Sequence, residues 1–281
     1  SCLAEQAKIL VAEAEENNLD DKVFDERWSR WDRCSLCEQA YHGVVACALG
    51  WAAWKTYLGR PEGNDARRGA MYTLGNGLFS ANRFEEAASV EEANVATLQR
   101  IGAAEEDILA TQGNLATSYR LLGKYEQALQ MERDVYSGWL KLNGEEDLGT
   151  LTAANNYATS LVSLRHFEAA KLLLRRTMPV ARRILGESNN ITLKVRSIYA
   201  EALYRDDGST FDDLCEAVTT LEDTERTARR VFGGAHPIAK GIEVELQEAQ
   251  FALVARLEDT APGGDVNAMC EAMAAMTADD A

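Results

Sequence analysis

The sequence predicts an all-α solenoid of helix-turn-helix repeats, and three observations lead there. First, four blocks superpose at a step near forty-two residues: 41 from Gly75 to Ala116, then 42 to Ala158 and 42 to Ala200. Second, each block carries a small residue in both of its helices, at Gly75/Ala87, Ala116/Ala128, Ala158/Ala170 and Ala200/Ala217. Third, each second helix runs to a glycine: Gly102, Gly144, Gly186 and Gly233. A repeat of this length marks units that bury an apolar face only by stacking on neighbours.

The elements follow in chain order. Residues 1–58 read as an N-terminal helical segment, in which the apolar run Val44–Trp54 is expected to be a buried helix. Residues 65–256 hold four repeats and a terminal helix. In each first helix the small residue sits among larger apolar ones, as in Leu115-Ala116 with Tyr119 and Tyr157-Ala158 with Leu161. Only Gly or Ala fits where two helices cross closely. Each second helix opens on an apolar residue three places before its alanine: Phe84, Tyr125, Phe167 and Leu214. The aromatic ones should fill the space beside the crossing. The glycine that follows suits a left-handed cap. Two irregularities stand out. Pro179 falls inside the second helix of the third copy, where it removes a backbone hydrogen bond and should bend the helix. The fourth copy carries about five extra residues around Asp206–Thr210. A final helix near 238–256, with Ile242, Leu246, Ala249 and Leu253 on one face, shields the last repeat from water. Residues 257–281 read as an acidic flexible tail bearing Met269, Met273 and Met276.

Phrases such as "GNLATSYRLLGKYEQAL" and "LTAANNYATSLVSLRHFEAAKLLL" resemble the tetratricopeptide repeats of kinesin-light-chain-like proteins. The resemblance covers roughly residues 65–256. It implies a right-handed solenoid that binds proteins or extended peptides and is not itself an enzyme. It also implies a cytoplasmic scaffold whose first helices line the binding groove. The polar residues expected there are Thr73, Asn76, Asn114, Thr117, Asn155, Asn156, Thr159, Ser197 and Glu201, with Asn114 and Asn156 closest to the family's groove asparagines. An asparagine side chain both donates and accepts, so it can hold a peptide backbone of any sequence.

Charge and motifs narrow the classes further. With 45 acidic against 29 basic residues the chain carries a net charge of −16, which repels nucleic-acid phosphates. No apolar run reaches the length of a membrane span. No nucleophile, base and orienting group converge in the sequence, and His42, His166 and His236 lie in different segments. The pairs Arg175-Arg176, Arg182-Arg183 and Arg229-Arg230 fall on second helices and read as solvated faces. The chain opens at Ser1 without an initiator methionine or a secretory leader, which reads as a processed chain or a piece of a longer one.

The cysteines raise a separate expectation. Cys34 and Cys37 form a Cys-x2-Cys pair, the spacing of half a zinc tetrahedron. Together with Cys2-Leu3 and the aromatic Tyr41, the order resembles the back half of a RING-CH zinc finger. The resemblance implies that Cys2 serves one zinc and Cys34 with Cys37 another, the other ligands standing upstream. It departs from the family at Gln6, where a tryptophan is usual, and in a spacer of 31 residues between Cys2 and Cys34. His42 and Cys47 are the nearby substitutes, although Cys47 lies in an apolar helical run. On this reading zinc is a cofactor only where an upstream half completes the site. The alternative function is then the substrate-recruiting arm of a RING-CH-type ubiquitin ligase.

Overall fold

A computed structural model describes residues 2–260, which form twelve α-helices and one 3-10 turn, with no strand among them. The tail beyond residue 260, with Met269, Met273 and Met276, lies outside the described residues. The fold is all-α, built from stacked helix pairs, and it divides into two compact units, Ser1–Leu142 and Asn143–Ala281.

In the first unit, α1 (Cys2–Glu16), α2 (Asp21–Trp28), the 3-10 turn (Ser29–Trp31) and α3 (Gly43–Tyr57) precede two helix pairs. The pairs are α4 (Asp65–Ser80) with α5 (Phe84–Ile101), and α6 (Glu105–Leu121) with α7 (Tyr125–Asn143). Trp31 is the anchor of the N-terminal part, 1 % exposed and set edge-on to Tyr57 at 6.1 Å between ring centres. The closest helix crossing joins α3 to α4. A methyl group placed on Gly77 would meet the Ala46 carbonyl oxygen at 2.6 Å, and one on Gly50 would meet Leu74 Cα at 2.8 Å. Gly75, the small residue of the repeat pattern, faces α5 instead, 3.3 Å from Glu91 Cγ by the same measure.

Helix α3 is buried on one face only, which corrects the expectation of a buried helix. Cys47, Leu49, Gly50, Ala53 and Tyr57 point inward, whereas Val44 is 80 % exposed and Trp51 36 %. Its start precedes that of α5 by 41 residues, one repeat step, so α3 occupies the place of a second helix ahead of the first recognised repeat. The sequence hides this because no crossing alanine pattern precedes Gly43.

The second unit comprises α8 (Leu148–Ser163), α9 (Phe167–Leu185), α10 (Asn190–Tyr204), α11 (Phe211–Phe232) and α12 (Pro237–Thr260). Ala158, Ala170, Ala200 and Ala217 are fully buried, as are Ala87, Ala116 and Ala128 in the first unit. Helix α9 runs through Pro179 without ending there. Ala239, Ile242, Ala249, Leu253 and Leu257 turn inward from α12, which packs on α10 and α11.

Three local readings need correction. Of the aromatic residues opening the second helices only Phe167 is buried; Phe84 is half-buried and Tyr125 is 42 % exposed. Helix α11 begins at Phe211, a turn before Leu214, since Thr210 and Asp213 form a reciprocal capping box there. Among the terminal glycines Gly102 is a left-handed cap, but Gly186 combines φ 84° with ψ 162°, an extended conformation that also requires glycine.

The α3–α4 crossing supports a direct test. Gly77→Ala should destabilise the chain by about 1–3 kcal/mol through backbone overlap. Gly113→Ala, where the added methyl group meets only Val135 at 3.8 Å, should stabilise α6 by up to about 1 kcal/mol. Denaturant unfolding of both variants distinguishes them, and equal shifts would reject this packing.

Candidate functional site

The first helices place the expected polar residues in two different environments. In the first unit the Asn114 side-chain amide donates to the Asn76 carbonyl oxygen at 3.1 Å, so asparagines of consecutive repeats meet on a half-buried face. Among the described residues, the second half of each amide, the Asn76 NH2 and the Asn114 oxygen, bonds no other protein group. Thr117 lies one turn on, with its hydroxyl turned back to the Gly113 carbonyl at 3.0 Å. Thr73 is only 2 % exposed and faces the interior.

In the second unit Asn155 is 6 % exposed and donates to the Asn156 oxygen at 3.2 Å, while Asn156 and Thr159 remain half-buried. Thr159 donates to the Asn155 carbonyl at 2.9 Å. Ser197 is buried and donates to the Glu245 carboxylate of α12; Glu201 pairs with Arg205. The half-buried ones among the expected polar residues of the first helices are thus Asn76, Asn114 and Thr117 in one unit and Asn156, Thr159 and Glu201 in the other. Thr73, Asn155 and Ser197 serve the interior.

Buried carboxylates are the feature that sequence reasoning missed. Glu91 and Glu132 stand four residues after the crossing alanines of α5 and α7, at 4 % and 1 % exposure. The matching places in α9 and α11 hold Leu174 and Leu221. Ser118 donates to Glu91 at 2.7 Å, and Arg120 stands 3.9 Å from Glu132. Burial pushes the Glu91 pKa up to about 7, the Ser118 hydrogen bond acting the other way. Glu245 is likewise raised to about 7 by burial, offset by Ser197 and reinforced by Glu201 and Glu248. Superposing the four repeats would have exposed the signal, a glutamate where the other two copies have leucine.

The cysteines separate. Cys34 and Cys37 lie in a tight loop closed by the Arg33–Ala40 bridge and by the Cys34 N–H on the Gln39 carbonyl at 2.9 Å. The backbone N–H groups of Leu36 and Cys37 face the Cys34 sulfur and lower its pKa. Cys2 is exposed at the start of α1, and His42 is exposed ahead of α3. Cys47 is buried in the opposite direction, against Leu74, Leu78 and Ala87, with the Arg83 guanidinium at 3.6 Å. Among the described residues no three His, Cys, Asp or Glu side chains gather as a metal would need. The loop therefore offers two thiols of a tetrahedral site and no more.

Comparison with known proteins adds the family of the repeats. The tetratricopeptide repeat family matches residues 107–183. Residues 107–183 carry tetratricopeptide repeats. Two solved structures of the nearly identical TPR-like repeats of a putative kinesin light chain from Podosopora anserina, one of them a single-substitution form, are similar to it at 20 % identity. The substituted form superposes with a TM-score of 0.55, covering 74 % of this chain and 94 % of that one. BtubC (BKLC) from P. vanneervenii is similar at 15 % identity and a TM-score of 0.51, with 94 % of each chain covered. At these identities the likeness concerns the fold. No curated protein sequence matches the chain. No helix of the described residues is long and apolar enough to cross a membrane.

Two measurements check this description. Because the folded pKa of Glu91 exceeds the usual carboxylate value, its stabilising effect is full below pH about 4.5 and lost as pH rises through about 7. Glu91 should therefore lower stability between pH 5 and 8 by an amount on the order of 2 kcal/mol, with Glu245 acting in the same direction, and Glu91→Gln should reduce the slope by its own share. Melting temperatures of both proteins across this range decide it. Elemental analysis should find less than one tightly bound zinc per chain, since a closed structural site needs four ligands. A stoichiometric zinc lost on Cys34→Ser would show a self-contained site instead.

Proposed function

We propose that this chain is a non-enzymatic scaffold that binds extended peptide or protein segments along the first-helix faces of its repeats. The observation that carries the reading is the Asn114–Asn76 contact. It sets two amide groups of consecutive repeats side by side on a half-buried surface, leaving the Asn76 NH2 group, the second Asn114 N–H and the Asn114 oxygen to spare. An extended peptide presents the complementary pattern of alternating carbonyl and N–H groups. In the second unit Asn156 and Thr159 provide a similar but smaller polar face. The tetratricopeptide repeats and the kinesin-light-chain-type structures of like fold support the same reading.

Net charge sets the class of partner. A chain at −16 favours neutral or basic segments and disfavours nucleic acid. The half-buried asparagines would fix the path of the peptide backbone, while side chains of the peptide select by charge.

A peptide display library screened on the purified chain tests the reading. Asn76→Ala with Asn114→Ala should weaken a selected peptide by roughly 1–3 kcal/mol, about one hydrogen bond per side chain, and leave the melting temperature close to that of the parent. Titration calorimetry reads the loss. Unchanged affinity for every peptide selected would move binding away from these faces.

A further inference from the structure

The second unit contains a cleft of about 450 Å³ between the end of α9, the side of α10 and the C-terminal half of α11. Four arginines line it, Arg182, Arg196, Arg226 and Arg230, with two carboxylates, Glu187 and Asp223. Arg196 is the fixed member, 5 % exposed and held between Asp223 at 2.5 Å and Glu187 at 3.4 Å. Arg182 shares Glu187 at 2.5 Å. Arg226 and Arg230, one helical turn apart on α11, have no carboxylate within ion-pair distance among the described residues.

The cleft therefore holds two positive charges in excess, in a chain whose net charge is −16. Of the other arginines on these helices, Arg176 pairs with Glu145, Arg183 with Glu146, and Arg229 with Glu225 and Glu243, while Arg175 donates to the Tyr199 hydroxyl outside the cleft. Guanidinium groups bind phosphate oxygens through parallel N–H donors, and a phosphate monoester carries close to two negative charges at neutral pH. A dianion of this kind balances the excess, with Arg226 and Arg230 as its direct donors and the buried Arg196 holding the wall behind them.

We propose that this cleft is a binding site for a phosphate monoester dianion, such as a phosphorylated side chain of a partner peptide. The site goes beyond peptide binding on the first-helix faces, because none of Asn76, Asn114, Asn156, Thr159 and Glu201 lines it.

Titration calorimetry of the full chain tests the proposal with N-acetyl-O-phosphoserine amide. Inositol hexakisphosphate serves as a soluble polyphosphate, and N-acetylglutamate amide as a carboxylate control. The phosphoserine probe should saturate at one per chain, and more tightly than the carboxylate. Arg226→Gln with Arg230→Gln should weaken it at least about tenfold, whereas Arg176→Gln with Arg183→Gln, equal in charge removed, should leave it unchanged. Affinity should drop as pH falls from about 7.5 to 5.5, where the phosphate takes up its second proton. Tighter binding of the inositol phosphate through the same two arginines would support the site and assign its source to a soluble polyphosphate. Equal losses in the two double variants, or no saturation up to about 10 mM of either phosphate probe, would overturn it.

Discussion

The fold depends on how closely its helices cross. Seven alanines of the repeat pattern, at 87, 116, 128, 158, 170, 200 and 217, have no exposed surface, and Gly77 and Gly50 bring α3 and α4 to backbone contact. A crossing this close leaves no room for a side chain, so it admits one rotation of each helix. The rotation in turn decides which polar residues face outward. Asn76 and Asn114 meet on a half-buried face, while Gly75, about 100° further round α4, packs on Glu91 of α5 and Ala116 is fully buried.

The same geometry exposes a contrast between the units. One turn beyond each crossing alanine the second unit buries leucine, at Leu174 and Leu221, whereas the first unit buries glutamate, at Glu91 and Glu132. A buried carboxylate forgoes the apolar transfer energy of a leucine and must find polar partners. Ser118 and Arg120, both on α6, stand where those partners are needed. Polar specificity thus replaces part of the hydrophobic packing in the first unit.

Electrostatics follows a similar division of labour. Most arginines on the second helices are neutralised by glutamates in neighbouring turns, which keeps an acidic chain from repelling itself locally. Two on α11 are left outside that pairing. The thiols divide by environment as well. Cys47 acts as a small apolar residue in the core, while Cys34 and Cys37 share an exposed loop with turned-in backbone N–H groups.

The sequence by itself determined the class of the fold, the four helix pairs and their crossing residues, because stacking repeats imposes the same small side chains at a constant step. It did not show that Thr73, Asn155 and Ser197 turn inward, since a shift of one position around a helix moves a side chain by about 100°. Nor did it reveal that α3 stands in repeat register, or that Arg196, Arg226 and Arg230 from two helices share one cleft. Those outcomes depend on contacts between helices, which tertiary packing alone supplies.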